Sequence, residues 1–130
     1  MKICRFHKNR IGLVQDGEVV DVTSALDLLP QVRYPLPRYD PLIAHLDQLK
    51  EAFFEAAKTG ERRLALELAF DSPIANPGKL VAAPVNYVKH LEEARAQKDL
   101  HQGNAAQVRV IHETGLFLKA TSSLIGPSEP

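Results

Sequence analysis

The sequence predicts an α+β fold, a small β-rich N-terminal domain with helices followed by the start of a second region. Three observations lead there. Lys2 to Phe6, Arg10 to Gln15 and Glu18 to Val22 are short runs rich in Ile, Val and Leu, with Asp16-Gly17 between the second and third. Asp-Gly between such runs is a hairpin signal. Between Asp40 and Lys58, the apolar residues Leu42, Ile43, Leu46, Leu49, Phe53 and Phe54 recur at the spacing of one helix face. Leu80 to Ala83 then forms a second apolar run, leading into a turn and an amphipathic stretch.

The elements follow in order. After the three strands, Val22-Thr23-Ser24-Ala25-Leu26 opens a short helical stretch through Leu29, with Thr23 or Ser24 as its cap and Pro30 as its stop. Pro30 to Pro41 holds four prolines without periodicity and reads as an irregular surface connection. Asp40-Pro41 is a cap followed by proline in the first turn, which starts the main helix. Gly60 ends it. Arg62 to Phe70 alternates Leu64, Leu66, Leu68 and Phe70 and is expected as a strand, with a second helix as the alternative. Arg62 and Arg63 are expected on a solvated surface.

Asp71 to Gly78, with two prolines, an Asn and a Gly, reads as a linker or long turn. The domain boundary falls there, giving residues 1–72 and 73–130. Lys79 to Ala83 is expected as a core strand, Tyr87 to about Lys98 as a helix, and Gly115 to Lys119 as a strand before a Ser122-Ser123 loop. Asp99 to Arg109 is a polar connection containing Gly103-Asn104.

Composition excludes several roles. The 130 residues are 45% hydrophobic, enough for a core, and balance 16 Lys and Arg against 16 Asp and Glu. No basic excess draws the chain to nucleic acid or anionic lipid. No apolar run approaches the roughly 20 residues of a membrane span, and the N-terminus has a strand pattern, so the expected location is the cytoplasm. Cys4, the single cysteine, rules out an internal disulfide and a thiolate-rich zinc site and is expected as a small core hydrophobe.

Chemistry concentrates around Asn86-Tyr87-Val88-Lys89-His90-Leu91-Glu92-Glu93. A helix here presents His90 and Glu93 three residues apart on one face. A carboxylate so placed orients or charges an imidazole, the pairing that general-base chemistry requires. Spacing alone favours an ordinary surface histidine on an amphipathic helix. His90, Glu93, His101 and His112 lack the spacing of a compact zinc motif, so His101 and His112 read as solvated. His7 and His45 have no visible partners. Ser122 and Ser123 show no nucleophile elbow.

Pro77-Gly78-Lys79, Asn86-Tyr87, His90, Phe117-Leu118-Lys119 and Ser122-Ser123-Leu124-Ile125-Gly126-Pro127 occur in one order. Together they resemble the fumarylacetoacetate hydrolase family. Residues 73–130 look like the beginning of its mixed-β catalytic domain, and residues 1–72 like the smaller N-terminal domain of many bacterial members. The resemblance implies a catabolic, cytoplasmic, metal-dependent hydrolase that cleaves a carbon-carbon bond in a 1,3-dicarbonyl or 2-oxo acid, often as a homodimer. It implies that His90 activates water with Glu93 supporting the imidazole, that Lys119 contacts a substrate carboxylate or carbonyl, and that Asn86 and Tyr87 shape the pocket or bind substrate. The stretch between the histidine helix and the Phe-Leu-Lys strand corresponds to a mobile lid.

The same resemblance implies Mg2+, or Mn2+ or Ca2+ in its place, held by a Glu-x-Glu pair and a later acidic residue. No Glu-x-Glu occurs here. The ligands are therefore expected in polypeptide beyond Pro130, with the 130 residues alone inactive. Ala83-Pro84-Val85 and Ala120-Thr121 depart from the family pattern and leave the substrate open. The alternatives are a decarboxylase or isomerase of the same family, or a non-catalytic fragment serving folding or dimer contacts.

Overall fold

Asp16 and Gly17 both take positive φ, 49° and 83°, as a two-residue hairpin turn of mirror-image type requires. In the computed structural model, which describes residues 1–97, 99 and 110–128, this turn joins β2 (Arg10–Gln15) to β3 (Glu18–Asp21). β1 (Ile3–Phe6) pairs with β2, and β4 (Arg62–Leu64) pairs with β3. The result is one antiparallel sheet in the order β1-β2-β3-β4. The α+β class is as the sequence predicts. Two compact units make up the chain, residues 1–78 with 122–128, and the described residues of 79–121.

Alternation along the strands divides the first unit's core between two faces. Ile11, Leu13 and Val20 pack against Val22, Ala25, Leu42, Leu49, Phe53 and Ala57. Phe6 and Val19 pack against Leu68 on the other side. The helix supplying the first face is interrupted. Asp40 caps α1 (Pro41–Ala44), and α2 (Leu46–Ala56) follows after His45. The expected single helix breaks there because His45 leaves helical geometry (φ −113°, ψ 15°) while its ring Nδ1 lies 2.9 Å from the Pro41 carbonyl. His45 therefore has a partner that the sequence did not disclose.

Asp40 does more than cap. Its buried carboxylate accepts hydrogen bonds from the N–H groups of Leu42 and Ile43 and also from those of Ala75, at 2.7 Å, and Asn76, at 3.0 Å. The Asp71 to Gly78 segment is thus a long turn tied to the helix start.

Three further expectations need correction. The 3-10 helix Thr23–Leu28 has Val22 at its N-cap and no side-chain cap. Thr23 instead turns its hydroxyl to Asp21 and accepts the Ile11 N–H. Gly60 lies beyond the end of α2 and allows close approach: a Cβ there would sit 2.2 Å from the Asp21 carbonyl oxygen. The strand expected over Arg62 to Phe70 stops at Leu64, opposite Glu18. β3 ends there in its hairpin turn, so β4 runs out of ladder partners. The chain folds into a 3-10 turn, Ala65–Glu67, with the Ala65 N–H bonded to the Gly17 carbonyl at 3.1 Å. Leu66 is consequently 99% exposed, while Leu68 is buried and Phe70 bridges Phe6. Arg62 and Arg63, exposed on the edge strand, reach Glu18 and Glu61, and charge on an edge discourages strand addition.

Asp21 joins the sheet to the 3-10 helix through its bonds to Thr23 and Arg10. Partial burial pushes its carboxyl upward, but the Thr23 hydroxyl and N–H and the Arg10 guanidinium outweigh that and hold it below its ordinary 3.8. A depressed folded value stabilises above the unfolded value, and the stabilisation is lost as pH falls through the folded one. Asp21→Asn should therefore destabilise at pH 7, with the gap to wild type closing in urea titrations as pH falls through the carboxyl's depressed folded value. A stability gap independent of pH would contradict this.

In the second unit, β5 (Leu80–Ala82) pairs antiparallel with β6 (Phe117–Lys119), in register Leu80↔Lys119. The expectation of a core strand at Lys79 to Ala83 is met only as a strand: Val81 is half exposed, and so is Phe117 opposite Ala82. α3 (Val88–Ala96) and α4 (Ile111–Thr114) complete the unit. Asp99 is described, but residues 100–109 of the expected polar connection lie outside the described residues, as does His101. Among the described residues no helix is long and apolar enough to cross a membrane.

Candidate active site

The turn before α3 is clamped from both sides. Val85 bridges Val110 in parallel, and the Ile111 N–H donates to the Val85 carbonyl at 3.2 Å. Asn86 and Tyr87 follow this clamp. Tyr87 is extended (φ −143°, ψ 153°) at the N-cap of α3 and uses no side-chain cap bond, so its phenol ring is available for other contacts. Its ring meets that of His90 with centroids 5.1 Å apart and planes tilted by 38°.

The His90 and Glu93 pairing expected from spacing takes a different form. Side chains on a helix lean toward its N-terminus. His90 accordingly covers Tyr87, and the Glu93 carboxylate reaches Lys89, Nζ to Oε1 3.8 Å. Among the described residues no hydrogen bond joins Glu93 to His90. The Lys89–Glu93 contact is exposed, and such pairs contribute at most about 1 kcal/mol, so Glu93 is not locked away from the imidazole. Lys119 ends β6 with its side chain exposed, opposite Leu80. No hydrogen bond or ion pair joins it to Asn86, Tyr87 or His90 among the described residues.

A cavity of about 170 Å³ opens beside this helix start. Val85, Val88, Leu91, Val110 and Ile111 form its apolar wall, and the polar residues Asn86, Tyr87 and His112 also line it. His90 is not on that wall. Tyr87 lines the cavity and also contacts the His90 ring. His112, read as solvated from the sequence, is exposed and also lines this cavity, a placement that the sequence did not announce. Its position depends on the Val85–Val110 bridge, a contact between residues 25 apart that no local pattern announces.

Among the described residues no three His, Cys, Asp or Glu side chains converge to hold a cation. The donor set present, an imidazole with an amide and a phenol, does not suit a hard divalent ion, which favours several oxygen ligands. A larger cavity in the first unit, about 310 Å³, touches Arg5 and Asp40. Both are already engaged, Arg5 by the Lys8 and Ser72 carbonyls and Asp40 by backbone N–H groups. Cys4 is half-buried with its Sγ toward the Gly12 carbonyl, and burial pushes its thiol up, away from reactivity.

No protein-family model matches the chain. It is 50% identical over 129 residues to a maleylpyruvate hydrolase of Aquipseudomonas alcaligenes, a match covering 99% of this chain and 45% of that protein. The chain thus spans less than half the length of this curated relative. A crystal structure of maleylpyruvate hydrolase from Sphingobium sp. SYK-6 in complex with manganese(II) and pyruvate is similar with a TM-score of 0.54 and 28% identity, over 69% of this chain and 34% of that one. A second structure of the Sphingobium enzyme gives 0.53 and 26%, over 68% and 33%. The family resemblance carried by the sequence motifs is borne out by these relatives.

Proposed function

We propose that this chain, of the fumarylacetoacetate hydrolase family, forms the part of a carbon-carbon bond hydrolase that supplies the proton-transfer group and one wall of the substrate pocket. The proposed substrate is an acylpyruvate, a 2-oxo acid with a 1,3-dicarbonyl, of the maleylpyruvate type. The observation that carries this reading is the Tyr87–His90 ring pair at the edge of a mainly apolar cavity.

In this mechanism His90 takes a proton from water as the oxygen attacks the acyl carbonyl carbon. The bond between that carbon and the pyruvyl methylene breaks, and its electron pair passes to the pyruvate enolate. The proton held by His90 returns to the enolate carbon, giving pyruvate and the free acid. An imidazole suits both transfers because it exchanges protons near neutral pH. Glu93, once released from Lys89, supports the imidazolium. Lys119 takes a carboxylate or carbonyl of the substrate, and Asn86 and Tyr87 line the pocket. Tyr87 also restricts where the His90 ring can turn.

The whole protein is expected to use a divalent cation, magnesium or manganese, whose ligands the described residues do not provide. Residues 1–72 and 73–130 are proposed as the N-terminal domain and the beginning of the catalytic domain, in a cytoplasmic homodimer. The test is pyruvate release from maleylpyruvate by the full-length protein, followed by NADH oxidation with lactate dehydrogenase. Turnover by the full-length protein and none by the 130 residues alone is the expected result. No pyruvate from any acylpyruvate would remove the assignment.

A further inference from the structure

We propose that His112 is a specificity residue, receiving the far carboxylate of a dicarboxylic acylpyruvate in the cavity beside His90. The inference rests on the hydrolase reading above and names the part of the substrate that this cavity accepts.

The chemistry of the lining carries the argument. Asn86, Tyr87 and His112 can each donate a hydrogen bond, and among the described residues the cavity wall includes no Asp or Glu. Glu113, the nearest carboxylate in sequence, is turned to the backbone, where it accepts the Val110 N–H at 3.4 Å. A site with donors, no carboxylate and otherwise aliphatic walls favours a ligand with an apolar body and an anionic end. The volume of about 170 Å³ leaves room for a four-carbon acid fragment.

Position supports the same assignment. His112 follows Ile111, whose N–H is bonded to the Val85 carbonyl, one residue before Asn86. The Glu113 N–H closes on the Val110 carbonyl at 3.0 Å and the Gly115 N–H on the Ile111 carbonyl at 2.7 Å. The imidazole is therefore carried on backbone fixed to the turn that bears Asn86 and Tyr87. Because Tyr87 both lines the cavity and contacts the His90 ring, a substrate reacting at His90 would extend its acyl tail past the phenol toward His112. The carboxylate would end the tail at that point, far from the bond that breaks.

The experiment compares maleylpyruvate, which ends in a carboxylate, with acetylpyruvate, which ends in a methyl group, on the full-length protein. His112→Ala should raise KM for maleylpyruvate about 10- to 100-fold, the loss expected of one charge-assisted hydrogen bond, and leave acetylpyruvate within about 2-fold. The kcat for both should change little, because the contact is made equally before and during reaction. Inhibition by maleate should weaken by the same factor, and His112→Arg should restore much of the discrimination. Equal changes for the two substrates, or none, would overturn the role of His112 while leaving the hydrolase reading intact. Wild-type protein that releases pyruvate from neither would remove both.

Discussion

His90→Ala in the full-length protein is expected to lower kcat by about 10²- to 10⁴-fold, the usual contribution of a positioned acid-base group, with KM changed far less. The magnitude follows from what the ring would do. It accepts a proton from water in the first transition state and returns it in the second, so its removal affects both barriers and leaves ground-state binding nearly untouched. Structural damage should be small. His90 is only half-buried on α3, and its recorded ring contact is with Tyr87, itself 58% exposed. Circular dichroism matching wild type, with maleate still inhibiting at its wild-type concentration, would separate lost chemistry from lost fold. Unchanged turnover by a folded His90→Ala protein would end the proton-transfer assignment, whatever other residue then took its place.

The contrast between Thr23 and His112 marks how far the sequence was readable. Turn chemistry is local: Asp16-Gly17 announced its positive φ values, and β1, β2 and β3 lie within a residue of the apolar runs that predict them. Asp40-Pro41 announced a helix start for the same reason. Expectations failed where a distant partner decided the outcome. Thr23 had the right chemistry for a cap, but its hydroxyl bonds Asp21 two residues back and accepts the Ile11 N–H from the neighbouring strand. Leu66 alternates correctly for a strand and is nearly fully exposed, because β3 offers no ladder beyond Glu18. His112 is exposed as expected, but its place beside the cavity follows from the Val110 bridge to Val85, which no local pattern shows. Family motifs singled out His90 and Tyr87 as candidates. They did not reveal that the two rings would pack together, nor that the Glu93 carboxylate would reach Lys89.

Phe53→Ala tests the packing that holds the first unit together, and it should cost about 3 to 5 kcal/mol. Phe53 is 0% exposed, packed among Leu49, Ala57, Val20 and Leu13 between α2 and the sheet. Truncation removes the largest side chain of that face and leaves a void that strands held by β-ladders on both sides close poorly. Against a typical total of about 5 to 15 kcal/mol, this is enough to expose the unit to frequent opening. Amide hydrogen exchange in β2 and β3 should therefore accelerate by about 10²- to 10⁴-fold if those strands open with the core. Phe54 supplies the control. It follows directly on the same apolar stripe, yet it is 44% exposed, so Phe54→Ala should change protection by less than about 10-fold. The sequence assigned the two phenylalanines one role, and only the rotation of α2 against the sheet separates them. Equal losses from the two substitutions would mean that the helix presents a different face to β2 and β3.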